Sequence, residues 1–272
     1  MYVKLFDITM SEPNVTSPLL ISLITCPLIT LSQPDLGLTY NIEVKMGILT
    51  KKISSGVLFI KPKMRWRFSM KRYQPGLLFI LNGQGKLLHG QTLNPQDLLI
   101  LPSRRQGWVE ITALNKTLRL LYVTLGSFHE DDLKLSDNVQ GNSAKYKFVK
   151  RLTIIHNKDV SFESFSGLAL NKIHQDVTWQ KYLDTSQWVV GLAYIKAGQE
   201  LGAHYHSAEE MSYVIDGNAK TKLEHHWVPF HPQTFMYVPS NAVHYTQAIN
   251  KDFISFWLFP CGPFSSIEYH FK

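Results

Sequence analysis

Cysteine is nearly absent, with only Cys26 and Cys261 in 272 residues. Two thiols exclude a disulfide framework, and neither sits in a CxxC or zinc-finger spacing. A reduced, cytoplasmic setting is the expectation that follows. Long apolar runs are missing too. The greasiest segment, PLLISLITCPLITL at residues 18–31, falls short of the ~20 apolar residues a membrane span needs, and Pro27 interrupts it. It reads as a pair of buried strands, so no membrane span is expected. Lys4, Asp7 and Glu12 precede it, which argues against a secretory leader. No segment keeps a long 3.6-residue apolar period. Acidic residues are scarce in one half only: residues 1–126 hold 15 Lys and Arg against 6 Asp and Glu, whereas residues 127–272 hold 13 against 15. The first half also lacks histidine, apart from His89.

What is there is strand. Val, Ile, Leu, Thr and aromatic residues recur in short runs with turn signals every 8–12 residues, the pattern of a sandwich or barrel. In the second half the expected strands lie near 188–196, 203–206, 211–216, 219–224, 234–238, 243–249 and 252–259. In the first half they lie near 57–61, 64–70, 77–82, 85–89, 97–101, 107–112 and 118–124. A polar segment, residues 126–147, separates the halves and reads as a linker or surface loop. Short helical or irregular structure is expected within 161–188. GLLFILNGQGKLL (76–88) followed by QDLLILPSRRQGW (96–108) parallels EMSYVIDGNAKTKL (210–223) followed by QTFMYVPSNAVHY (233–245), a weak internal repeat. The fold class is therefore all-β: two β-barrel or jelly-roll units with few short helices. Residues 1–126 form the first, 127–150 the linker and 151–272 the second.

Chemistry concentrates in GQELGAHYHSAEEMSYVIDG, residues 198–217. His204 and His206 lie two apart, so on a strand both rings project from one face. Glu210 follows at the head of the next strand, and His244 opens a later one. Three neutral imidazoles and a carboxylate suit a divalent transition metal and leave coordination positions open. The alternation that turns Glu210 inward also turns Ser212 and Val214 inward, and His244 brings Thr246 and Ala248. A mostly small, mildly polar inner wall with room for a ligand is the expectation. The adjacent Glu209 reads as a solvated charge. His225, His226 and His231 fit no ligand spacing.

At these residues the chain resembles the cupin superfamily. Its first motif is Gly, five residues, His-x-His, three or four residues, Glu, six residues, Gly; Gly198, His204, His206, Glu210 and Gly217 match it at every spacing. Its second motif is Gly, five residues, Pro-x-Gly, two residues, His, three residues, Asn. Pro239 and His244 fit that motif, while Gln233, Asn241 and Ala248 replace the Gly, Gly and Asn. Asn can take up the left-handed conformation that Gly supplies. The resemblance implies metal binding by His204, His206, Glu210 and His244, with iron first and Mn, Ni or Zn as alternatives.

The first unit departs from this pattern. Aligning Gly83 with Gly217 sets Met70, Arg72 and Gly76 opposite His204, His206 and Glu210, and aligning Pro102 with Pro239 sets Gly107 opposite His244. No plausible ligand set remains there, so the first unit resembles a degenerate cupin or a sugar-sensing barrel. Its distinctive stretch is KPKMRWRF, residues 61–68, which on a strand presents one basic and one apolar face. That reads first as a charged edge that blocks aggregation; an anion pocket or nucleic-acid surface is the lesser reading.

The function expected is that of a metal-dependent enzyme acting on a small, anionic organic substrate, with a dioxygenase first and Glu210 the catalytic carboxylate. A lyase or isomerase is the alternative. The run HYHSAEEMSYVIDG is similar to the metal-site segment of cupin lyases acting on dimethylsulfoniopropionate, but Ser212 stands where those place a tyrosine. A ligand- or metal-sensing binding protein is the reading from a different class. A homodimer is compatible with such barrels.

Overall fold

A computed structural model describes residues 19–22, 29–32, 41–49, 52–70, 76–101, 107–126, 147–148, 152–164, 177–223 and 226–272. The first half runs through β1 (Leu19–Ser22), β2 (Ile29–Ser32), β3 (Asn41–Leu49), β4 (Ile53–Ile60), β5 (Arg65–Met70), β6 (Gly76–Asn82), β7 (Gly85–Leu87), β8 (Thr92–Leu93), β9 (Leu98–Leu101), β10 (Gly107–Ala113) and β11 (Leu118–Leu125). Then follow β12 (Lys147–Phe148), β13 (Thr153–Ile155), β14 (Phe162–Ser164), β15 (Val177–Asp184), β16 (Val189–Ile195), β17 (Glu200–His206) and β18 (Glu210–Asp216). The chain closes with β19 (Ala219–Leu223), β20 (His226–Phe230), β21 (Thr234–Val238), β22 (His244–Ala248), β23 (Phe253–Phe259) and β24 (Tyr269–Phe271). The fold is all-β, and helix among the described residues is confined to short 3-10 turns such as Asn157–Asp159 and Phe264–Ser266.

The two halves repeat one sheet topology. A seven-stranded sheet runs β13-β9-β6-β11-β4-β3-β2 in the first unit, and β1-β21-β18-β23-β16-β15-β14 in the second. Position for position, β6 stands where β18 stands, between the equivalents β9 and β21 on one side and β11 and β23 on the other. A smaller sheet completes each barrel, β12-β10-β7-β8 with β5 on β10 in one and β20-β19-β22-β17-β24 in the other. The greasy segment at 18–31 does hold two strands, but they do not pair with each other. β1 closes the second unit's sheet against β21, and β2 joins β3 in the first. β13 reciprocates, closing the first unit's sheet against β9.

Two large clusters of buried side chains follow from the layering of the first barrel. Leu58, Ile60, Trp66, Leu78, Ile80, Val109, Ile111, Leu118 and Leu120 fill the first barrel. Residues one step along the same strands, among them Val57, Leu77, Phe79, Leu121 and Val123, point the opposite way and meet Tyr182, Val190, Leu192, Met211, Tyr213, Phe235, Phe256 and Leu258 of the second unit. Central strands such as GLLFILN are therefore buried on both faces, which is why they read as unbroken apolar runs and not as alternation. The two large sheets pack face to face, with Phe79 against Tyr182 and Phe256 at ring distances of 5.8 and 5.1 Å. Gly47 makes this approach possible, since a Cβ there would lie 2.5 Å from the Phe235 ring. Polar bridges cross the same boundary: Arg119 bonds the Tyr213 hydroxyl, whose pKa burial pushes up to about 12, and Lys52 pairs with Glu209 at 2.5 Å. Glu209 is thus an ion-pair partner across the boundary and not simply a solvated charge.

Two local expectations need correction. Residues 177–184 form a strand, because the apolar side chains of Val177 and Tyr182 are buried and the polar Gln180 beside them is fully engaged. Its amide donates to the Val160 carbonyl at 2.8 Å and its Oε1 accepts from Tyr194 at 2.6 Å. The basic stretch is not one strand. Residues 61–64 turn the chain, Lys63 has φ of 64°, and the strand begins at Arg65, which faces Glu110 at 3.5 Å while Trp66 is buried. The polar segment 127–146 and Arg72 lie outside the described residues.

Candidate metal centre

β17 delivers two of the site residues. Its burial alternates, with Gly202, His204 and His206 inside and Ala203 and Tyr205 half-exposed, as two-residue periodicity requires. Residues 207–209 lead from β17 into β18 of the facing sheet, and β18 ends at Gly217, whose φ is 83° and whose added Cβ would lie 2.2 Å from the Asp252 carbonyl oxygen, so that turn needs glycine. β22 lies beside β17 with His204 directly opposite His244 in the ladder. The loop entering β22 is tied to the same strand, because the Asn241 N–H donates to the His206 carbonyl at 2.8 Å.

Two of the replaced motif glycines keep the backbone that glycine would have supplied. Gln233 has φ of 68° and Asn241 of 65°. Gln96, at the position of the first unit equivalent to Gln233, has φ of 69°. The loop geometry survives the substitutions, at an expected cost of about 1 kcal/mol per left-handed non-glycine residue.

The four residues converge. Ligating nitrogens of His204, His206 and His244 all lie within 4.8 Å of one another, and the three residues are buried. Glu210 Oε2 lies 3.0 Å from His206 Nε2 and 3.5 Å from His244 Nε2. Its other oxygen accepts from the Ser212 hydroxyl at 2.5 Å. Each imidazole is anchored through Nδ1 to a main-chain carbonyl: His204 to Gly202 at 2.8 Å, His206 to Ala208 at 2.7 Å and His244 to Ala242 at 3.1 Å. A carbonyl only accepts, so each Nδ1 carries a hydrogen and each ring turns its Nε2 inward. Orientation of the ligating nitrogen by a bond to the other is the arrangement metal-binding histidines use.

Electrostatics favour the same state. Burial, reinforced by the neighbouring His244, holds the His204 imidazole well below its ordinary pKa and therefore neutral. Burial pushes the Glu210 carboxyl up, but hydrogen bonds from His206 and His244 outweigh it and hold the group well below the usual carboxylate range, ionised. An ionised carboxylate beside three inward-turned imidazole nitrogens is a donor set suited to a cation, which would replace the protons between them. The residues present fit a divalent metal.

Around the centre the wall is aromatic. Phe259 meets the His206 ring edge-on at 5.0 Å, and Phe271 and Tyr269 stack on His204 at 5.3 and 5.9 Å. Tyr269 lies 5.3 Å from His206 as well. Burial and the Glu210 charge raise its phenol well above the ordinary value. These two residues come from β24, which pairs with β17 so that His204 faces Phe271 and His206 faces Tyr269. The sequence reading missed them, since three residues carry too little periodicity to mark a strand. Tyr-x-Phe is nonetheless an alternating aromatic pair at the chain's end. The expectation of a roomy, mildly polar barrel is corrected too. Val214 and Ala248 do face inward, but the interior they face is packed with Val177, Ile195, Phe230, Met236 and Phe253. Those bulky residues come mostly from strands that the alternation around Glu210 and His244 does not reach.

The first unit places Met70 opposite Gly107 in the ladder, the counterpart of His204 opposite His244, while Gly76 opens β6 as Glu210 opens β18. Among the described residues the one group able to hold a metal is that of the second unit.

Comparison with known proteins agrees with this geometry. Residues 191–258 match the family model described as "Cupin domain". The chain is similar in structure to the Lactobacillus farciminis oxalate decarboxylase solved as a formate complex, with a TM-score of 0.66, 15% identity, and 92% of this chain and 88% of that one covered. It is likewise similar to a Bacillus subtilis oxalate decarboxylase studied for its Mn(II) centres, with a TM-score of 0.62, 15% identity, and coverage of 95% and 81%. No curated protein matches the chain by sequence. The cupin-domain match thus lies within the second barrel, which also holds the candidate metal centre, and the chain as a whole shares the two-barrel fold of these structures.

Proposed function

We propose that this two-cupin chain is a metal-dependent enzyme acting on a small organic acid, with the metal held by His204, His206, His244 and Glu210. The observation that carries the reading is the set of three Nδ1-to-carbonyl bonds, which turn three Nε2 atoms inward beside an ionised carboxylate. A divalent metal there supplies Lewis acidity toward substrate oxygens and leaves coordination positions open. The protein's own residues hold the charge and exclude water. Glu210 remains ionised because His206 and His244 face it, Ser212 fixes its second oxygen, and Phe259, Tyr269 and Phe271 wall the site with ring carbons.

Two chemistries fit such a centre. The similarity to oxalate decarboxylases favours non-oxidative cleavage of a carboxylate, with manganese as the metal. The three-imidazole, one-carboxylate set also suits dioxygenase chemistry with iron. A panel of small organic acids, oxalate included, presented to Mn(II)- and Fe(II)-loaded protein separates them. Carbon dioxide release without oxygen uptake supports the decarboxylase, and stoichiometric oxygen consumption supports the dioxygenase. Tight binding of an acid with no turnover under either metal would turn the reading to a sensor.

A further inference from the structure

We infer that Tyr269, on the C-terminal strand, is a substrate-contacting residue of the metal centre, its phenol hydroxyl donating a hydrogen bond to an anionic oxygen of the bound ligand. This rests on the metal-site reading above. β24 is an edge strand whose one paired neighbour is β17, and its register sets Tyr269 opposite His206. The ring lies almost parallel to His204, at 14°, and within 5.3 Å of His206, so it spans both imidazoles. Its position is braced by neighbouring rings. Phe264 packs on it at 5.7 Å and Phe259 at 6.2 Å, and Phe264 in turn rests on Trp179 and Trp257. Tyr269 is half-buried, while the imidazoles are buried, and the register turns it to the same face as His204 and His206.

The chemistry required there matches what the residue carries. A divalent metal beside ionised Glu210 keeps one net positive charge, which a monocarboxylate neutralises and a dicarboxylate exceeds, so anionic oxygen away from the metal is left to accept a hydrogen bond. A neutral hydroxyl donates to that charge without adding a second cation against three imidazoles, and donation to an ionised acceptor is the stronger kind of hydrogen bond. Ring carbons of Tyr269, Phe259 and Phe271 exclude water around it, which strengthens the bond further.

The test uses Co(II)-loaded protein and azide, an anion that enters open metal positions, followed by the visible spectrum. Tyr269→Phe is expected to bind one Co(II) with the wild-type spectrum and to lose about tenfold in azide affinity. Tyr205→Phe serves as the control. That ring sits on the other face of β17, stacked 4.7 Å from His270, and the change should leave azide affinity within twofold of wild type. Unchanged azide affinity in Tyr269→Phe, or loss of its Co(II), overturns the inference. If the Phe chain fails to fold, Tyr269→Gln keeps a donor: affinity within threefold of wild type upholds the role, and a full tenfold loss overturns it. Wild-type protein that takes up no Co(II) fails at the first step and overturns the metal-site reading as well; wild-type protein that takes up Co(II) but no azide overturns this inference alone.

Discussion

At His206 the ring is held from both sides, its Nδ1 donating to the Ala208 carbonyl and its Nε2 set 3.0 Å from Glu210. Replacing it with alanine removes a ligand and leaves the carbonyl of Ala208 without that donor. His206→Ala should therefore lower metal affinity by at least about 100-fold while the far-UV circular dichroism stays that of a sheet protein. Elemental analysis after dialysis reads this directly, with near one equivalent in the wild type and less than about a tenth in the variant. Acid should act on the same residues. The folded pKa of His204 lies below its unfolded value near 6.5, so the unfolded chain takes up the proton first and stability falls as pH drops below about 6.5. Glu210, also depressed, adds a further loss as pH falls below about 4.5. Urea midpoints of the metal-free protein should thus decrease steadily from pH 7 to pH 4; a midpoint that rises on acidification contradicts the assignment. The convergence of His204, His206, Glu210 and His244 was legible in the sequence because an alternating strand makes spacing equivalent to facing. The backbone at Gln233 and Asn241 was not, because nothing in the side chain of glutamine announces a positive φ.

Among the elements, β1 and β24 do the most with the fewest residues. β1 covers the outer edge of β21, whose five residues are all buried. A chain lacking residues 1–22 exposes the unpaired N–H and C=O groups of β21 and the apolar run TFMYV behind them. It should elute from size-exclusion chromatography as dimers and larger aggregates, where the full chain gives one defined species. β24 brings Tyr269 and Phe271 against the histidines after the chain turns back through the Phe264–Ser266 turn. Neither pairing could be read from composition. The segment at 18–31 reads as two strands, yet the partner of each lies in a different sheet, a choice made by edges that are far away in sequence.

Over the whole molecule, the two barrels share a core. Phe79 of the first unit packs on Tyr182 and Phe256 of the second, inside a cluster drawn from both. Phe79→Ala should cost about 3–5 kcal/mol, the usual penalty for truncating a fully buried phenylalanine. Because that cost falls on contacts belonging to both units, scanning calorimetry of the wild type should show one transition, and the variant should shift it downward without splitting it. Two separate transitions in the wild type would show the barrels to be independent.

The sequence by itself determined what depends on local order: strand rather than helix, the repeat of one unit, and a His-x-His and a Glu set on inward faces by two-residue periodicity. It also pointed to a first unit without the same ligand set, since Gly76 and Gly107 carry no side-chain donor and Met70 only a soft thioether. Tertiary structure alone decided which sheet each edge strand completes, which face of a doubly buried strand meets the other barrel, and which distant aromatics wall the histidines. Those are contests between surfaces brought together by chain reversal, and their outcome depends on shape and burial that no stretch of neighbouring residues contains.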